Sequence, residues 1–96
     1  MPKVYMDDYS GRHVSQRIRE RFPNQGDQET MVAMVKKLLT LFAPVEAVGQ
    51  YQWHVNVDRI GRIVLLGHSI RTVYSFHENF PGGTEYRILG NRLVRA

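Results

Sequence analysis

The fold turns on residues 45–76, which read VEAVGQYQWHVNVDRIGRIVLLGHSIRTVYSF. Val45, Ala47, Tyr51, Trp53, Val55 and Val57 alternate with Glu46, Gln50, Gln52, His54 and Asn56. That period of two predicts a strand with one face buried and one face wet. Gly49 marks either a bulge or the start of the strand. Asp58-Arg59-Ile60-Gly61 reads as a tight turn with glycine in the left-handed position. Residues 62–66 form the next strand, and the run Ile63-Val64-Leu65-Leu66 predicts burial on both faces. Gly67-His68 is a two-residue turn or a kink. Residues 70–76 form a third strand, rich in β-branched and aromatic side chains. Beyond it, Pro81-Gly82-Gly83 places a loop over 79–84, and residues 85–89 and 92–94 form a hairpin across Gly90-Asn91.

Upstream the period changes. Residues 3–6 can form a short strand, with Val4 and Met6 on one face. Ser10 is placed to cap a helix running to Phe22, in which Val14, Ile18 and Phe22 recur every fourth residue as a narrow apolar stripe. Pro23, Asn24 and Gly26 stop that helix. Asp27 is placed to cap a second helix, with Glu29 in its first turn suiting the positive end of the dipole. Met31, Met34, Val35, Leu38, Leu39, Leu41 and Phe42 give it a wide apolar face, and Pro44 ends it. Each helix has one apolar side to bury. The expected class is therefore α+β: two N-terminal helices packed on one face of a C-terminal antiparallel sheet of three to five strands, in a single domain over 1–96. The polar face around His54 is left exposed and is where a site can sit.

The bulk composition narrows the function classes. A chain of 96 residues has room for one core, and 43% hydrophobic with 23% charged residues is ordinary for a folded domain. No apolar run approaches the ~20 residues of a membrane span. The first ten residues carry Asp7 and Asp8 and no apolar stretch, unlike a signal peptide. The absence of cysteine rules out disulfides and thiolate metal sites and fits a reducing compartment, so the cytosol is the expected location. Net charge is +4, and ten of the thirteen basic residues are arginine. Arginine's planar fork matches phosphate, although an arginine-rich genome gives the same composition.

No motif names a reaction by itself. There is no glycine-rich phosphate loop, serine elbow or paired-carboxylate motif. His54, His68 and His77 lack metal-ligand spacing, so neither a metal nor another cofactor is expected. His13 reads as a solvent-exposed residue of the basic helix. If the strands on either side of Asp58 pair, His54 falls opposite a residue near Leu65 or Leu66, and His68 lies a few residues further along, towards the Gln50 end. Two histidines beside arginines can cleave RNA without metal. One takes the 2′-hydroxyl proton, the other protonates the leaving oxygen, and arginine stabilises the charged phosphorane. Scattered surface histidines are the ordinary alternative. Arg59, Arg62, Arg71, Arg87, Arg92 and Arg95 lie among Tyr51, Trp53, Tyr74, Phe76 and Tyr86. Such interleaving suits a single-stranded RNA platform, though alternation puts Tyr51 and Trp53 in the core. Arg12, Arg17, Arg19 and Arg21 form a second basic surface on the first helix, able to hold phosphates, or otherwise a solvated face.

Residues 51–74, YQWHVNVDRIGRIVLLGHSIRTVY, resemble the RelE and ParE toxin family, in which a strand pair around an acidic turn runs into a glycine-histidine-arginine segment ending in valine-tyrosine. The element order is also similar. The resemblance implies a ribosome-associated messenger-RNA endonuclease or a gyrase-directed toxin. On it, His68, Arg71 and Tyr74 match the histidine, arginine and tyrosine of the closing motif. That family's strand and basic segment before this stretch are absent here.

The expected function is a small basic RNA-directed protein, either a metal-independent, toxin-type endoribonuclease or an RNA binder. His54, His68, Arg71 and Tyr74 are its candidate catalytic residues, and Arg12, Arg17, Arg19, Arg21, Arg59, Arg62 and Arg87 its candidate nucleic-acid contacts. The alternative is a non-catalytic interaction module, such as a phage- or plasmid-encoded inhibitor, immunity or adaptor protein. The partner is then RNA or an acidic protein, with no membrane involved, and the chain is a monomer or a homodimer.

Overall fold

The computed structural model describes residues 2–50, 52–78 and 83–96. Two helices, α1 (Asp8–Arg21) and α2 (Gln25–Leu38), precede a single turn of helix, α3 (Val45–Val48). Five strands follow: β1 (Trp53–Val57), β2 (Gly61–Leu66), β3 (Ser69–Ser75), β4 (Thr84–Leu89) and β5 (Arg92–Arg95). They form one sheet in the order β3-β2-β1-β4-β5. The class is α+β, with the two N-terminal helices packed against a mostly antiparallel C-terminal sheet. Among the described residues, no helix is long and apolar enough to cross a membrane.

The core forms where the helical stripes meet one sheet face. Val14, Ile18 and Phe22 from α1 and its cap, and Met31, Val35 and Leu38 from α2, are buried against Trp53, Val55, Ile63, Leu65, Val73 and Tyr86. Trp53 and Tyr86 meet edge to face at 5.1 Å between ring centroids, and the Trp53 indole donates to the Gly67 carbonyl. Trp53 is in the core, as its alternation predicts, and the aromatic RNA platform considered for the sheet loses Tyr86 to the core as well. Tyr51 lies outside the described residues.

Both helix caps differ from expectation. Asp7, not Ser10, caps α1, its carboxylate accepting from the Ser10 amide at 2.7 Å. Asn24, not Asp27, caps α2, accepting from the Asp27 amide at 3.2 Å. In each case the expected cap is the third residue of the helix, where its N–H is the one that a cap satisfies. Asp27 still places its charge at the positive end of the dipole. The second helix ends at Leu38, short of Pro44, and leaves Phe42 exposed.

The strand expected from Val45 begins only at Trp53. Residues 45–48 form a helical turn after Pro44, with Ala47 buried and Val45 68% exposed. Proline is well suited to a helix start, and four residues are too few for alternation to separate strand from helix. Gly49 ends that turn with φ −78° rather than forming a bulge. The bulge is instead in β3, where the register with β2 shifts between Val64 and Leu65. Thr72 pairs with Val64 and Ile70 with Leu65, which leaves Arg71 unpaired.

The hairpin turns form as expected at Gly67-His68 and Gly90-Asn91, with φ +60° and +62° at the glycines. The turn after β1 differs. Arg59, not Gly61, takes the left-handed conformation, with φ 65°. Gly61 is required for space, because a Cβ there would lie 2.3 Å from the Tyr74 carbonyl oxygen and 2.8 Å from the Phe22 ring.

The sheet is not a pure antiparallel meander. β4 pairs with β1 in parallel, Trp53 opposite Thr84 and Val55 opposite Tyr86. This makes β1 the central strand and carries the β4–β5 hairpin to the side away from β3. Of the loop expected over 79–84, residues 79–82 lie outside the described residues. The N-terminal segment makes two isolated bridges rather than a strand, Lys3 with Phe42 and Tyr5 with Ser69. Its Tyr5 amide donates to the His68 carbonyl at 3.0 Å.

Candidate nucleic-acid interface

Residues of even number on β1 and β2 point away from the helices. They build two cross-strand rows. In the first, Tyr74 on β3 pairs with Arg62 on β2, which pairs with Asn56 on β1. Asn56 shares a cleft with Arg87 of β4. In the second, Thr72 pairs with Val64, Val64 with His54, and His54 with Glu85.

Helix α1 extends the first row. It lies along β3, whose edge it covers: the Arg21 guanidinium donates to the Val73 carbonyl at 2.6 Å and sits 4.8 Å from the Tyr74 ring centroid. Glu78 holds it from the other side at 3.3 Å and caps the Ser75 amide at 2.8 Å. His13, two turns earlier on the same flank, shares a hydrogen bond with the Thr72 hydroxyl at 3.2 Å, so it is not the free surface residue expected. Arg17 lies between them in sequence and on the helix, paired with Glu20 at 2.6 Å. The basic helix and the basic sheet thus meet in one continuous row: Arg21, Tyr74, Arg62, Asn56, Arg87.

In the sequence those two arginine sets stand apart, one on the first helix and one on the strands. The signal that joins them is the position of Arg17 and Arg21. Each flanks the buried stripe of Val14, Ile18 and Phe22, so each must lie at the border of the packed face. Arg12 and Arg19 do not join the row. They line a shallow depression with Asp7 and Asp8 on the other side of α1. Arg59 is exposed at the tip of the β1–β2 turn, one end of the sheet from which Arg62 and Arg87 also project.

The four candidate catalytic residues are dispersed. His54 is 4% exposed, which corrects the expectation that its face is open: on the central strand it is flanked on both sides. It lies opposite Val64, next to Leu65, as the strand pairing predicts. Its Nε2 is 3.5 Å from Glu85 Oε1. Burial pushes the imidazole pKa below its ordinary value, Glu85 pulls it up, and Arg62 adds to the lowering. His68 is in the β2–β3 turn, with its ring 4.8 Å from that of Tyr5. Arg71 is exposed at the bulge, 3.9 Å from Asp7. Tyr74 lies six residues along from His68, about 20 Å at strand rise. Glu85 was not anticipated as a site residue, because its place beside His54 depends on the parallel β1–β4 pairing, which local sequence does not encode. Among the described residues no three of His, Asp and Glu converge to hold a metal ion.

No family model, curated protein or solved structure matches the chain.

Proposed function

We propose that this protein binds single-stranded RNA along the row from Arg21 through Tyr74 and Arg62 to Arg87. The observation that carries the reading is the stacking of Arg21 on Tyr74, directly beside Arg62. It merges two basic surfaces into one lined with arginine, an aromatic ring and an amide, the side-chain types that hold a phosphate backbone and unstacked bases. Binding is better supported than cleavage. The acid–base mechanism needs two histidines at one phosphate, and His54 and His68 occupy separate environments.

The test is fluorescence anisotropy of a labelled ten-nucleotide RNA against added salt. Each phosphate contact to a single strand contributes about −0.7 to the slope of log K against log salt. Contacts from Arg21, Arg62 and Arg87 therefore give a slope near −2. Alanine at Arg62 or Arg87 should shallow it by about 0.7 each, while alanine at Arg12 or Arg19 leaves it unchanged. A flat response to salt, or equal effects at all of these positions, contradicts the reading.

A second reading, an acidic protein partner, is favoured by β5. It is the outer strand away from the helix-covered β3 and carries Arg92 and Arg95. Basic residues on an edge strand also block self-pairing. Loss of partner capture on Arg92→Glu with RNA binding intact would favour this second reading.

A further inference from the structure

The parallel β1–β4 ladder ends at Val55 opposite Tyr86, although β1 runs to Val57 and β4 to Leu89. Beyond that point the strands part. A cleft of about 380 Å³ opens between them, closed behind by α2.

The lining combines flat apolar contact with a few polar groups. Met34, Ile60 and Ile88 supply the apolar part, and Asn56, Asp58 and Arg87 the polar part. Neither the Asp58 carboxylate nor the Arg87 guanidinium has an ion-pair or hydrogen-bond partner among the described residues. A carboxylate and a guanidinium share one cleft of ligand size, and both have capacity to spare.

We infer that this cleft receives a single guanine base. Guanine carries adjacent N–H donors on its Watson–Crick edge and the O6 and N7 acceptors on its major-groove edge. Asp58 accepts from the first, Arg87 donates to the second, and Asn56 can serve either. Met34 and the two isoleucines contact the ring. Adenine lacks the paired donors, and the pyrimidines leave the cleft part empty. The inference rests on the RNA reading for its source of guanine, since Asn56 and Arg87 belong both to the cleft and to the row. The chemistry serves a free guanine nucleotide equally well, and the test separates the two.

The full chain is titrated with the oligoribonucleotides UUGUU, UUAUU, UUCUU and UUUUU by anisotropy, and with guanosine 5′-monophosphate by amide NMR. The expected result is that UUGUU binds roughly tenfold tighter than the other three, the discrimination of one good base contact. Asp58→Asn should remove that preference and leave UUUUU binding unchanged. Asp58 is exposed, and Trp53 fluorescence confirms that the variant is folded. Guanosine monophosphate should shift amides of residues 56–60 and 87–88. Equal binding of all four oligomers overturns the guanine assignment and leaves the RNA reading standing. Preference for adenine or cytosine overturns it as well. Shifts by guanosine monophosphate at the cleft with no binding of any oligomer uphold the cleft and overturn the RNA reading.

Discussion

Replacing Gly61 by alanine tests the packing of α1 against the sheet. The added Cβ would lie 2.3 Å from the backbone oxygen of Tyr74 and 2.8 Å from the ring of Phe22. Neither can withdraw easily. The oxygen belongs to β3, paired residue by residue with β2, and Phe22 is a buried member of the core. Overpacking costs about 1–3 kcal/mol where side chains can yield. With a strand backbone in the way, the cost should reach the top of that range, about 3 kcal/mol. For a domain of this size that lowers Tm by about 12–24 °C. The assay is urea unfolding followed through Trp53, the single tryptophan and fully buried. Gly49→Ala is the matched control. A Cβ there meets nothing within 4 Å, and its φ of −78° suits any residue. It should be neutral or stabilising by up to about 1 kcal/mol. If Gly61→Ala falls within about 1 kcal/mol of wild type, or matches Gly49→Ala, Phe22 and β3 do not sit against β2 in the way described.

Three further outcomes follow from the same contacts. His54 has a pKa below its ordinary 6.5, set mainly by burial; the unfolded chain then takes up its proton first as pH falls, so stability is full above about pH 6.5 and declines below it. The slope is at most about 1.4 kcal/mol per pH unit, and His54→Gln should flatten it in urea titrations between pH 7 and 5.5, whereas a steeper fall in the variant would reverse the sign. The Ser69 hydroxyl is buried without a partner among the described residues, so Ser69→Ala should be neutral or raise stability by up to about 1 kcal/mol; a clear loss means the hydroxyl is bonded. Arg59 holds φ 65°, a conformation costing about 1–2 kcal/mol for a residue with a Cβ, partly offset in glycine by about 0.5–1 kcal/mol of chain entropy. Arg59→Gly should therefore raise Tm by a few degrees, and a fall in Tm would show that the Arg59 side chain has a structural role.

The parts of the fold legible in sequence are those that local chemistry determines. The stripe of Val14, Ile18 and Phe22, the alternation from Trp53 to Val57 and the glycine turns at 67 and 90 each fix an element within a few residues. The missed features depend on distant partners. Nothing near Thr84 says that β4 will run parallel to β1, and from that pairing follow the burial of His54, its contact with Glu85 and the cleft at Asp58. The bulge at Arg71 escaped because Ser69–Ser75 reads as an uninterrupted strand. Caps were misplaced by three residues, since Asp7 and Asn24 and the residues three further on are all good capping types. At the candidate site, Arg21, Arg62, Tyr74 and Arg87 were legible as residues but not as one surface, because their adjacency is set by α1 lying along β3.

If helix and sheet arginines act as one RNA-binding row, amide NMR of the full chain with a ten-nucleotide RNA should show shifts at Arg17, Arg21, Asn56, Arg62, Tyr74 and Arg87, with α2 beyond Met34 and the Arg12–Arg19 side of α1 undisturbed. Shifts confined to Arg12 and Arg19, or to β5, would contradict it.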